Sequence, residues 1–170
     1  MVKPKLYLFI GYPGSGKTTV SRFIAAATGA VHLWADVERH KLFKRPAHSE
    51  AESLELYNRL NRQAAELLAG GQSVVYDTNF NFYRDRQKMR QLAEHSGAET
   101  VLIWITLPKR VAKQRAVHAT QTRNGYEFSM SEAQFAAITA KLEPPTEDEK
   151  FIKINGLKLD KAEVLQLLNL

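Results

Sequence analysis

A chain of 170 residues, 44% of them hydrophobic, is long enough to bury one sizeable core and is expected to form a single domain over residues 1–170. It has no cysteine, which excludes disulfides and thiolate metal sites. Its formal charge of +6 points to an anionic partner, nucleic acid or a phosphorylated small molecule, although an enzyme whose basic residues handle only a triphosphate has the same balance.

The first apolar run, Lys5–Ile10, reads as a buried parallel strand. It is too short for a secretory or membrane segment, so a cytoplasmic protein with no membrane partner is expected. Directly after it, Gly11–Thr18 (Gly-Tyr-Pro-Gly-Ser-Gly-Lys-Thr) fills every fixed position of the G-x-x-x-x-G-K-[ST] phosphate-binding loop. Chance would place this spacing in roughly 1% of chains of this length, given ordinary glycine usage. The helical pattern Lys17–Thr28 completes the strand–loop–helix context that the motif needs. Gly11, Gly14 and Gly16 let the backbone turn its N–H groups toward phosphate oxygens, and the helix dipole adds positive potential. Tyr12, Pro13, Ser15 and Thr19 complete the stretch that would wrap ATP. Lys17 would reach its β- and γ-phosphates, and the Thr18 hydroxyl would ligate Mg²⁺.

The remaining chain alternates strand and helix patterns, the signature of an α/β protein with a parallel sheet. Strands are expected at Ala30–Trp34, Ser73–Tyr76, Thr100–Leu107 and Phe151–Ile154. Helices are expected at Ser49–Ala69, Tyr83–His95, Lys109–Thr120, Ser131–Leu142 and Lys161–Leu168. In the helix from Ser49, the residues Leu54, Tyr57, Leu60, Ala64 and Leu67 recur at helical spacing and read as its core-facing stripe.

Ligands of open parallel sheets bind beyond the carboxyl ends of the strands, so the residues after each run matter most. Asp36 follows the second strand, where a carboxylate could take the proton of an attacking hydroxyl; it could equally be only a helix cap. Arg39, three residues on, falls on the same side of a helical turn and could hold an acceptor phosphate or the transferring group. It opens a basic cluster (Arg39, His40, Lys41, Lys44, Arg45, His48) that could rim an acceptor pocket or form a solvated face. Asp77 closes the third strand, where such proteins keep a Mg²⁺ carboxylate. The basic helix from Lys109 leads into the polar segment Ala119–Ser129, so residues at about 109–130 read as a lid, with Arg115 contacting ATP and Arg123 stabilising the transferring phosphoryl.

These residues resemble the small phosphate-loop kinases related to polynucleotide 5′-hydroxyl kinases and, more distantly, zeta-toxin-like and chloramphenicol phosphotransferase-like kinases. The match rests on Gly11–Thr19, Asp36-x-x-Arg39, Asp77-Thr78-Asn79-x-Asn81, the arginines Arg115–Arg123, and Leu142-Glu143-Pro144-Pro145. The resemblance implies a three-layer α/β/α phosphate-loop fold with a five-stranded parallel sheet ordered 2-3-1-4-5, as in nucleoside-monophosphate kinases. It implies an ATP- and Mg²⁺-dependent phosphotransferase in which Asp36 activates the acceptor hydroxyl, Arg39 binds an acceptor phosphate and Asp77 serves the metal or acceptor site. A polynucleotide 5′ end and a small metabolite, nucleotide or antibiotic both stay open as acceptors, beside a non-kinase ATPase switch. The lid lacks the dense Arg/Lys pairs of a dedicated polynucleotide kinase, which leaves the roles of Arg115 and Arg123 open.

Overall fold

The computed structural model describes residues 2–118, 122–123, 126–127 and 130–170, with backbone alone for 122–123 and 126–127. In chain order the elements are β1 (Lys5–Ile10), α1 (Lys17–Thr28), β2 (Val31–Trp34), α2 (Ala35–Leu42), α3 (Glu50–Ala69), β3 (Val74–Asp77), α4 (Tyr83–His95) and β4 (Glu99–Thr106). They continue with α5 (Lys109–Val117), β5 (Thr122–Arg123), β6 (Tyr126–Glu127), α6 (Glu132–Ala140), β7 (Phe151–Asn155) and α7 (Lys161–Leu167).

Five strands form a parallel sheet in the order β2-β3-β1-β4-β7, the expected 2-3-1-4-5 order once the β5–β6 ribbon is set aside. β1 lies at its centre and has Leu6 to Ile10 buried, because apolar side chains of both pleat phases face a helical layer. Leu6, Leu8 and Ile10 join Val74, Tyr76 and Leu102 in a core with α3 and α4. Tyr7 and Phe9 join Val75, Ile103, Ile105 and Ile154 in a second core with Val20 and Ile24 of α1 and Val164 of α7. This is the expected three-layer arrangement.

Two local expectations are corrected. The buried stripe of α3 is Leu56, Leu60, Ala64 and Leu68, an i, i+4 row, while Leu54 is exposed and Tyr57 and Leu67 only flank the core. Both sets recur at helical spacing, and periodicity alone does not choose between adjacent rows. The helical turn expected after β2 is the start of a helix, α2, whose N-cap is Trp34, so Asp36 lies inside the first turn and is not the cap. Among the described residues, no helix is long and apolar enough to cross a membrane.

Candidate active site

The loop Gly11–Thr18 leaves the end of β1 and opens α1 at Lys17. No side chain caps that helix and no acidic residue occupies its first turn, so its orphan N–H groups are left for an anion. The Lys17 ammonium folds back over the loop, donating to the carbonyls of Gly11 at 2.9 Å and Tyr12 at 3.0 Å. Glycine is required at Gly14, where φ is +82° and an added Cβ would sit 2.6 Å from the Ala112 carbonyl oxygen. The loop therefore abuts α5. Gly156, just past β7, also abuts the loop: a Cβ there would lie 2.6 Å from the Ser15 carbonyl oxygen. Gly156 had no motif to mark it, since the need for a glycine arises only from this contact between distant segments.

Asp77 ends β3 and is 4% exposed. Its Oδ1 accepts a long bond from the Thr18 hydroxyl at 3.4 Å, and its Oδ2 lies 3.0 Å from His32 Nε2. A hydroxyl and a carboxylate facing one another at the loop mouth are the hard oxygen donors that Mg²⁺ takes together with substrate phosphates. They fit that ion as part of a nucleotide complex; among the described residues no cluster of three or more His, Asp or Glu could hold a metal by itself. His32 was not foreseen. It stacks on Trp34 with centroids 5.5 Å apart, and Arg22 of α1 lies 5.0 Å from the Trp34 ring. A polar residue inside the apolar run Val31–Trp34 was its only sequence signal.

Trp34 pairs with Asp77 in the β2–β3 ladder, so Asp36, two residues further on, leaves the neighbouring strand end. Its side chain is exposed. Arg39 is 6% exposed: Nη2 donates to Ser53 Oγ at 3.2 Å, and Nη1 lies 3.8 Å from Glu52 without a hydrogen bond. Glu52 also accepts from the backbone N–H groups of Ala47 at 2.9 Å and His48 at 2.8 Å, tying the basic segment to α3. No ion pair joins Asp36 to Arg39; one faces solvent and the other packs between α2 and α3.

Arg115 donates to the carbonyls of Gly156 at 2.7 Å and Leu157 at 3.0 Å, clamping α5 to the loop after β7 beside Gly14. α5 and α6 share a small core of Ala112, Ala116 and Phe135, and Tyr12 of the phosphate loop packs on Phe135 with centroids 6.4 Å apart. The Arg123 side chain, like most of the segment expected to complete the lid, lies outside the described residues. A groove of about 500 Å³ lined by Thr106, Leu107, Pro108, Lys153 and Asn155 opens at the β4–β7 edge and includes none of the phosphate-loop or carboxylate residues.

A phosphate loop at the head of a 2-3-1-4-5 parallel sheet defines the fold of the small P-loop kinases. The chain belongs to the AAA domain family AAA_33, which matches residues 6–145. No curated protein matches it. Among solved structures it is similar to a putative kinase from Chloroflexus aurantiacus (20% identity over 99% of this chain and 98% of that one, TM-score 0.77). It is also similar to the Mycobacterium tuberculosis APS kinase CysC in complex with AMPPNP and APS (18%, 100% of both chains, TM-score 0.68). A chain of the Pnkp1/Rnl/Hen1 RNA repair complex matches at 20% identity over 84% of this chain and 47% of that one, with a TM-score of 0.62.

Proposed function

We propose that the protein is an ATP- and Mg²⁺-dependent phosphotransferase acting on a hydroxyl, with a polynucleotide 5′-hydroxyl as the leading acceptor. The observation that carries the reading is the register of the two strand ends. Asp77 faces Thr18 at the phosphate loop, and Asp36 emerges into solvent from the adjacent strand. A nucleotide held by the loop would present its γ-phosphoryl toward an acceptor on the Asp36 side. The Asp36 carboxylate takes the proton of the acceptor hydroxyl as its oxygen bonds to phosphorus, and the bond to the bridging oxygen breaks with its electron pair going to ADP. Lys17 exchanges its two carbonyl partners for phosphate oxygens and offsets the charge that develops on them. Thr18 and Asp77 would hold Mg²⁺, which when bound would supply further positive charge to the phosphates. Arg115 borders the nucleotide, and Arg123 is assigned to the transferring phosphoryl. Residues at about 109–130 act as the lid of a single domain working in the cytoplasm.

The charge of +6 and the RNA repair neighbour support a nucleic acid acceptor. One observation favours a neutral small molecule instead: Glu52 partly neutralises Arg39 and so weakens it as a phosphate ligand. Transfer of labelled γ-phosphate from MgATP to a panel of 5′-hydroxyl DNA and RNA oligonucleotides, nucleosides, nucleotides and sugars distinguishes the two. Asp36→Asn is expected to lower transfer about 10²–10⁴-fold at unchanged ATP affinity, and Lys17→Ala by about 10²–10³-fold. ATP hydrolysis that needs no acceptor and survives Asp36→Asn would sink the kinase reading in favour of a switch.

A further inference from the structure

Arg86 of α4 is the largest side chain in the described structure with no exposed surface. Its Nε and Nη2 donate to the two carboxylate oxygens of Glu149 at 2.8 and 2.7 Å. Its Nη1 reaches three carbonyls, those of Phe80 at 3.0 Å, Asn81 at 3.1 Å and Glu143 at 3.1 Å. Arg90 adds a second guanidinium 3.6 Å from Glu149, and the Thr146 N–H donates to the same carboxylate at 3.1 Å. A buried ion pair is costly to desolvate, and a well-packed apolar pair often stabilises a fold as well or better. An apolar pair cannot donate to carbonyls.

Those carbonyls show what the arginine holds. Phe80 and Asn81 lie at the far end of the short segment that starts at Asp77, and Glu143 lies just past α6. Phe80 N–H also donates to the Phe9 carbonyl of β1, and Glu143 N–H to the Asn81 carbonyl, each at 2.9 Å. Thr78 and Asn79 are thus suspended between β3 and a clamped anchor. Thr78 Oγ1 lies 3.0 Å from the Tyr57 hydroxyl, while the amide oxygens of Asn79 and Asn81 are buried without a hydrogen-bond partner. Tyr57 ties Thr78, but the two unsatisfied acceptors leave the Asn79–Asn81 half of the segment with little side-chain anchoring of its own. The arginine supplies the constraint from outside.

We infer that Arg86 is a positioning residue, which with Glu149 fixes the Asp77–Asn81 segment so that the Asp77 carboxylate stays aimed at Thr18 and the nucleotide-bound metal. The inference rests on the reading of Asp77 as a Mg²⁺ carboxylate. It is tested without any acceptor, by calorimetric affinity for the non-hydrolysable nucleotide AMPPNP with Mg²⁺ and with EDTA. The variants are Arg86→Lys, which keeps charge but loses the fork, and the double replacement Arg86→Met with Glu149→Leu, which removes the pair together. In folded variants with wild-type circular dichroism, the affinity without Mg²⁺ is expected to stay within about twofold of wild type, and the Mg²⁺-dependent gain to fall by about tenfold or more. A folded variant with the full Mg²⁺ gain would overturn the inference, and so would equal weakening with and without Mg²⁺. Loss of the fold in both variants would also overturn it, leaving Arg86 a structural tie only. Wild-type protein whose nucleotide affinity ignores Mg²⁺ would instead remove the Asp77 reading, and the inference with it.

Discussion

The phosphate loop and the α5–α6 arm meet at Gly14, where the loop touches the Ala112 carbonyl, but they stand on different foundations. The loop grows out of β1, whose side chains from Leu6 to Ile10 are buried in cores on both sides of the sheet. The arm is held by Ala112, Ala116 and Phe135, with Tyr12 and a few partly buried neighbours against them. Its surface pair Lys113–Glu132, at 3.0 Å, adds little in water. Apolar burial is the main source of local stability, so the arm is expected to open at lower free energy than the sheet. A phosphate cradle needs a rigid base, whereas a nucleotide must enter and leave past whatever covers it.

The largest effect should come from Leu8→Ala in the central strand. A cavity between fully buried neighbours is expected to cost about 2–5 kcal/mol, read from the urea unfolding midpoint. Gly14→Ala should follow at about 1–3 kcal/mol, since the new methyl meets the Ala112 carbonyl and the left-handed backbone disfavours it. The same variant should weaken nucleotide binding, because the loop moves with the contact. Phe135→Ala sharpens the comparison most. Amide exchange in α5 and α6 should accelerate, with a smaller shift in global midpoint than Leu8→Ala. Equal global losses from the two would mean that sheet and arm unfold as one unit.

A smaller effect is expected at acid pH, from the network that ties the end of α6 to the sheet. Burial pushes the Glu149 carboxyl up, but the hydrogen bonds from Arg86 and the Thr146 N–H, with the nearby guanidinium charges, outweigh it and hold the group below its ordinary 4.5. A carboxyl depressed on folding contributes stability that is complete above its unfolded value and lost as pH falls through the folded one. Melting temperature should therefore fall as pH drops below about 4.5. Glu149→Gln should lower stability near neutral pH and flatten that acid limb; parallel curves for the two proteins would count against the assignment.

Much of the phosphate side was legible in the sequence because it is local. Gly11–Thr18 carries its own conformational requirements within eight positions, and the apolar runs before Asp36 and Asp77 mark strand ends without reference to the rest of the chain. Strand order was within reach through the family resemblance. The rows on α3 were not, because Leu54 and Leu56 are equally apolar and only the sheet decides which side is inside.

Composition and motif spacing by themselves determined a phosphate-loop α/β protein with carboxylates at two strand ends. Tertiary structure alone decided that Arg39 is buried against Glu52, that His32 meets Asp77, that Gly156 has no room for a side chain, and that Arg86 joins segments more than fifty residues apart. Each of these depends on contacts between residues far apart in the chain, where an arginine or histidine carries no mark of whether it will meet water or a partner. Local patterns report backbone geometry; the partners of a buried charge are set by packing.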